Sequence, residues 1–151
     1  MSKTRVVVTG LGVCAPNGVG IDAFTEALMQ GKSGIRFFSE LEKLKFSCQI
    51  GGMPLISETV KSKYFTPLQL RNFNSAGILY GVVAGVEAWQ DAGLPIDEET
   101  CDFDSGTIFG VGSLGVDKYR ESIYKIDEGN TRRLGSTSVQ QTMSSGVSAY
   151  L

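Results

Sequence analysis

Three cysteines, Cys14, Cys48 and Cys101, are the candidates for nucleophilic or metal chemistry, and no histidine stands anywhere in the 151 residues to serve as a base. A Cys/His or Ser/His couple therefore cannot be assembled within this chain. The thiols are far apart and include no Cys-x-x-Cys pair, which argues against both a zinc site and a disulfide framework and predicts reduced cysteines. Cys14 lies in a glycine loop, Cys48 in a weakly patterned segment, and Cys101 in an acidic stretch whose charges raise a thiol pKa rather than lower it. All three are expected to be structural, and neither a metal nor a cofactor is expected.

Two glycine patterns invite a dinucleotide-binding reading. Gly10-x-Gly12-x-x-Ala15 follows the β-branched run Val6-Val7-Val8, and Gly110-x-Gly112-x-x-Gly115 follows Gly106-Thr-Ile-Phe109 and precedes an amphipathic stretch. In the first, Pro16-Asn17-Gly18 makes a tight turn where a phosphate-binding helix should already run. The second is better placed, and its plainer reading is a turn that needs left-handed backbone or close approach.

The elements that would carry these loops follow from periodicity. Arg5 to Val8 and Gly106 to Phe109 read as strands buried on both faces. A helix is expected from Ile21 to Gln30, with Ile21, Phe24, Ala27 and Leu28 on one stripe, Asp22 at the N-terminal dipole and Gly31 as terminator. From Gly34 to Tyr64 the pattern is loop-rich, with one short strand over Phe46 to Ile50. Leu68 to Ala92 reads as one long helix, buried through Ile78–Val86, with Gly81, Ala84, Gly85, Ala88 and Ala92 letting a neighbouring backbone approach. Gly93-Leu94-Pro95 stops it. After an acidic linker, Asp97 to Asp104, Val116, Tyr119, Ile123 and Ile126 mark the inner face of another helix, closed by the turn Asp127 to Asn130. Ser138 and Gln141 have the spacing of a capping box for a last helix striped by Val139, Met143, Val147, Tyr150 and Leu151. No capping residue closes that stripe, so the chain is expected to be a fragment.

Composition describes one α/β domain with a sizeable core. A net charge of −2 gives no electrostatic footprint for nucleic acid or an anionic membrane. The longest apolar run, Ile78 to Val86, falls well short of the ~20 residues that span a bilayer, and no signal-like segment opens the chain. A cytosolic location is expected.

Four blocks in this order and spacing carry a resemblance: Val6-Val-Val-Thr-Gly-Leu-Gly-Val13, Gly31-Lys-Ser-Gly-Ile35, Tyr80-Gly-Val-Val-Ala-Gly-Val-Glu-Ala-Trp-Gln-Asp-Ala-Gly-Leu94, and Gly110 to Gly115. Together they resemble the N-terminal region of β-ketoacyl-acyl-carrier-protein synthases of the type II, elongating kind. The resemblance implies the first half of a thiolase-like, layered α-β-α-β-α fold. It also implies a homodimer or a heterodimer with a related subunit, an acyl carrier protein as partner, and decarboxylative Claisen condensation of an acyl thioester with malonyl-carrier protein. The family's nucleophilic cysteine and two histidines are implied to lie beyond Leu151, so this chain alone is expected to be inactive. Ser113, Thr137 and Ser138 are the implied acyl-pocket positions. Asn74-Ser75 stands where the family commonly has Met-Asp, which leaves room for a polyketide or polyene branch beside fatty-acid synthesis. A non-catalytic subunit resembling a chain-length factor is the alternative, and a dinucleotide-binding module a distant third.

Overall fold

The computed structural model describes residues 4–96 and 103–151. They form two compact units: one comprises residues 1–56 and 84–96, the other 57–83 and 97–151, within those described limits.

In the first unit, the turn at Pro16-Asn17 closes a small hairpin of β1 (Cys14–Ala15) and β2 (Gly18–Val19), with Cys14 opposite Val19. Helix α1 (Ile21–Met29) follows Gly20, whose φ of +90° no other residue adopts easily, and Gly31 at φ +64° lies just past its C-cap, Gln30. The expected stripe holds for Ala27, which is buried, whereas Leu28 is exposed. β3 (Ile35–Phe37) pairs antiparallel with β4 (Ile50–Gly52), with α2 (Ser39–Lys43) between them. The strand expected over Phe46 to Ile50 is thus displaced: pairing with β3 fixes its register at Ile50–Gly52.

The second unit opens with α3 (Glu58–Tyr64), whose N-cap Ser57 accepts from the Val60 amide at 3.2 Å, and α4 (Pro67–Asn72). Thr66 and Gln69 form a capping box on α4, and Pro67 stands where its missing N–H costs nothing. The single helix expected over Leu68 to Ala92 is therefore two. The chain breaks at Phe73–Ser75 and restarts as α5 (Ala76–Asp91), which begins in the second unit and ends in the first. Ile78, Leu79, Gly81, Val82 and Val83 of α5 are buried, as expected. Its end is a Schellman motif: the Leu94 amide donates to Trp89 O and the Gly93 amide to Gln90 O, with Gly93 at φ +70°.

α6 (Val116–Asp127) ends ahead of Gly129, at φ +73°. Its presumed inner face is a correction: Val116, Tyr119, Ile123 and Ile126 are all exposed. Short 3-10 turns at Thr131–Arg133 and Gln140–Thr142 lead to α7 (Gly146–Tyr150), so the last helix is shorter than its stripe implied, and Val139 and Met143 are exposed. Val147 is buried.

The two expected buried strands are also corrected. Residues 5–8 and 106–109 form no strand, and Val6, Val8 and Ile108 are 91%, 80% and 101% exposed. A strand exists only through a neighbour that completes its ladder, and no described segment pairs with either. The acidic linker lies mostly outside the described residues. Among those described, no helix is long and apolar enough to cross a membrane.

Candidate functional site

The glycine loop ahead of β1 is built by helix α5. A Cβ on Gly10 would overlap the Ala88 carbonyl, and one on Gly12 would overlap the Ala84 carbonyl and approach the Ala88 amide to 2.6 Å. Of the small residues expected to admit a neighbouring backbone, Ala84, Ala88 and Ala92 do so, and the neighbour is this loop, whereas Gly81 faces the side chains of Val147 and Phe109. Two carboxylates on the same helix hold it. Glu87 accepts the Val13 amide on Oε2 and the Ile21 amide on Oε1, each at 2.8 Å, and Asp91 accepts the Leu11 amide at 2.8 Å. Glu87 thereby caps α1, whose own N-cap Gly20 has no side chain to do so. Hydrogen bonds to a charged acceptor are worth about 1.5–3 kcal/mol each, so the loop is fixed to the helix. These contacts account for Gly10 and Gly12 without a phosphate. In the second pattern Gly110 and Gly112 face open space, and only Gly115 is forced, by φ +68° and by the Gln141 carbonyl against it.

Cys14 is not an activated nucleophile. Burial, with the Glu87 carboxylate adding to it, pushes the Cys14 thiol from 9.0 up to about 11. Cys48 is exposed, with Sγ 3.6 Å from the Ile50 carbonyl oxygen, and Cys101 lies outside the described residues. No cluster of three or more potential metal ligands occurs among the described residues. Iodoacetamide at neutral pH is expected to label Cys48 well before Cys14. The raised pKa alone leaves about a hundredfold less thiolate at Cys14, and its rate should climb with pH until about 11. Mass-spectrometric rate measurement checks this; a Cys14 faster than a free thiol would contradict it.

The richest constellation lies at the start of α5, in the second unit. Gln141 Oε1 accepts the amides of Asn74 and Ser75 at 2.8 and 2.9 Å, while the Asp117 carboxylate accepts Ser75 Oγ at 3.2 Å and the Ala76 amide at 3.1 Å. The helix is capped by side chains from two distant segments. Gln141 thus does not complete a local capping box with Ser138, whose hydroxyl donates to the Leu134 carbonyl.

Two cavities flank this point. One, of about 260 Å³, is mainly apolar and is lined by Phe73, Ile78, Gln140, Met143, Ala149 and Tyr150 among others. Tyr150 packs edge-on to Phe73 at 5.4 Å between ring centroids, and burial raises its pKa. The other, of about 240 Å³, is a polar groove whose charged lining is Arg71, Lys118, Lys125, Arg133 and Glu121. Hydrogen bonds from Lys118 and Lys125 at 2.7 and 2.6 Å hold the Glu121 carboxyl down to about 2. Glu121 is thus anionic at neutral pH, and four cationic side chains against this one carboxylate give the groove a net positive lining.

Over residues 3–151 the sequence matches the family described as "Beta-ketoacyl synthase, N-terminal domain". The chain belongs to that family. It is 31% identical over 151 residues to the 3-oxoacyl-[acyl-carrier-protein] synthase 2 of Vibrio harveyi, an alignment covering 100% of this chain and 35% of that protein. It is 30% identical over 136 residues to the tetracenomycin polyketide synthase ketoacyl synthase alpha subunit of Streptomyces glaucescens, covering 88% of this chain and 30% of the other. With the corresponding beta subunit it shares 28% over 121 residues, covering 80% and 29%. Its backbone is similar to a β-ketoacyl synthase from Burkholderia phymatum STM815, with a TM-score of 0.77 at 23% identity over 97% of this chain and 36% of that one. The thiolase-like α/β fold class is thus the observed one, although residues 5–8 and 106–109 form no strand. The chain spans about a third of the length of these relatives.

Within this β-ketoacyl synthase chain, the three positions singled out for the acyl pocket fall in two places. Thr137 and Ser138 line the polar groove, and Thr137 Oγ1 donates to the Asn72 carbonyl at 2.7 Å. Ser113 is exposed in the loop before α6 and lines neither cavity. The roles of Glu87, Asp91, Asp117 and Gln141 escaped sequence reasoning. Each lies 41 to 80 residues from the amides it accepts, and only its polarity beside apolar neighbours hinted at a partner.

Proposed function

We propose that this chain is the N-terminal part of a 3-oxoacyl-[acyl-carrier-protein] synthase acting in fatty-acid or polyketide biosynthesis. The family match across residues 3–151 carries the reading. In the reaction, an acyl group passes from its carrier protein to a cysteine thiolate. Malonyl-carrier protein loses carbon dioxide, and the carbanion left behind attacks the acyl thioester carbonyl. A carbon–carbon bond forms as the carbon–sulfur bond to the enzyme breaks, releasing 3-oxoacyl-carrier protein.

The nucleophile and the two histidines of that chemistry are assigned to residues outside these 151. The sequence holds no histidine, and Cys14 is kept protonated at neutral pH. What this chain contributes is binding surface: the apolar cavity against α5 as a wall for the acyl chain, with Thr137 and Ser138, which line the neighbouring polar groove, and Ser113, in the loop ahead of α6, as the further acyl-pocket positions. The working protein is a homodimer, or a heterodimer with a related subunit, in the cytoplasm. Its partner is an acyl carrier protein bearing acyl or malonyl groups.

The second reading, a non-catalytic subunit of the chain-length-factor kind, is favoured by the match to the tetracenomycin beta subunit. The residue at the nucleophile's position, outside this chain, separates the two. With purified chain, acyl-carrier protein and radiolabelled malonyl-carrier protein, no 3-oxoacyl product is expected. Turnover above a no-enzyme control would overturn the assignment of the catalytic residues.

A further inference from the structure

Gln141 and Ser75 are the buried polar residues of the described core, 5% and 0% exposed, and they are joined to each other. A buried amide costs free energy unless its groups are paired, and the Gln141 side chain is paired on both ends. Its oxygen takes the amides of Asn74 and Ser75, and its Nε2 donates to Thr137 Oγ1 at 3.4 Å. Thr137 in turn donates to the Asn72 carbonyl. The amide orientation is dictated by this network, because only an oxygen can face two N–H donors. Three of these links run between residues 72–75 and 137–141, and the fourth, from Gln141 Nε2 to Thr137 Oγ1, joins the two residues that make them.

Both strips continue into residues that line the apolar cavity. Phe73 and Ile78 line it from the side of the α4–α5 break, and Gln140, Met143, Ser145 and Gly146 from the side of the following segment. Within the 137–146 segment the backbone bonds are short-range, from the Gln141 amide to Thr137 O, the Thr142 amide to Val139 O and the Gly146 amide to Met143 O, and Thr142 Oγ1 adds one to Val139 O.

We propose that Gln141 is a positioning residue: its buried amide clips the 137–146 segment to the start of α5 and so sets the width of the cavity and the acyl chain lengths it accepts. The chain-length part rests on the acyl-wall reading above; the clip does not.

The test uses Gln141→Leu, which removes the acceptor, Gln141→Glu, which keeps it, and Thr137→Val, a milder change that cuts only the Thr137 links. Hydrogen exchange by mass spectrometry reads the amides of residues 74–75 and 141–146. Displacement of a fluorescent fatty acid by linear acids from hexanoate to dodecanoate reads cavity width. Gln141→Leu should speed exchange in both segments by about tenfold or more and flatten the length preference, Thr137→Val should do the same more weakly, and Gln141→Glu should retain the protection. Should Gln141→Leu fail to fold, Thr137→Val alone decides between the two outcomes. Unchanged exchange in the Leu and Val variants would overturn the clip. Faster exchange at residues 74–75 without change at 141–146 or in the length profile would reduce Gln141 to a helix cap and overturn the positioning role. If the unaltered chain binds none of these acids, the acyl-wall reading and the chain-length role fail together, while exchange at 141–146 still decides the clip.

Discussion

Replacing Gly12 by alanine is expected to cost the first unit about 3 kcal/mol, at the upper end of what one added methyl does to a packed interior. The added carbon would overlap the Ala84 carbonyl of α5 and come within 2.6 Å of the Ala88 amide nitrogen. Both are helix backbone, so no rotamer change relieves the contact. Relief requires the loop to lift, which stretches the hydrogen bonds that Glu87 and Asp91 make to it. Gly112→Ala is the matched control, since a Cβ there meets open space. Urea unfolding followed at Trp89, which lies in the first unit, should show a large fall in midpoint for Gly12→Ala and almost none for the control. Equal midpoints would mean the loop does not pack on α5 as described.

The isolated chain is also expected to self-associate. Val6, Val7, Val8 and Ile108 stand exposed in segments that form no ladder, and α6 presents Val116, Tyr119, Ile123 and Ile126 to solvent. Apolar faces of this kind on a soluble chain drive association, and unpaired extended segments add edge-to-edge pairing. Size-exclusion chromatography should give species larger than a monomer that bind hydrophobic dyes, with urea unfolding broader than a single cooperative transition. A monodisperse monomer with one sharp transition would show that these 151 residues are an autonomous domain and that the exposed faces need no cover.

What was legible in the sequence was local. The ends of α1, the glycine at the Schellman turn and the buried stretch of α5 all depend on residues a few positions apart, and they were read correctly. The break between α4 and α5 was not, because Phe73-Asn74-Ser75 contains no proline or glycine to announce it. The new helix start is stabilised by Gln141 and Asp117, far along the chain. Strands fail for the same reason in reverse: Val6-Val7-Val8 has the composition of a buried strand, but its pairing depends on a neighbour that composition does not supply. The candidate site was legible by family more than by chemistry. The four blocks in register lead to the β-ketoacyl synthases, whereas Glu87 looks like an ordinary polar position and the spacing of Gln141 points to a local capping box, not to the start of α5 that it holds.

The central claim is that this chain supplies binding surface and positioning to a condensing enzyme while the reacting groups come from elsewhere. The measurement that tests it most directly is the condensation rate of a fusion joining residues 1–151 to the remainder of the Vibrio harveyi relative, assayed with radiolabelled malonyl-carrier protein beside the chain alone. The account predicts 3-oxoacyl product from the fusion and none from the chain alone. A folded fusion that forms no product, or a chain that forms product by itself, would contradict it.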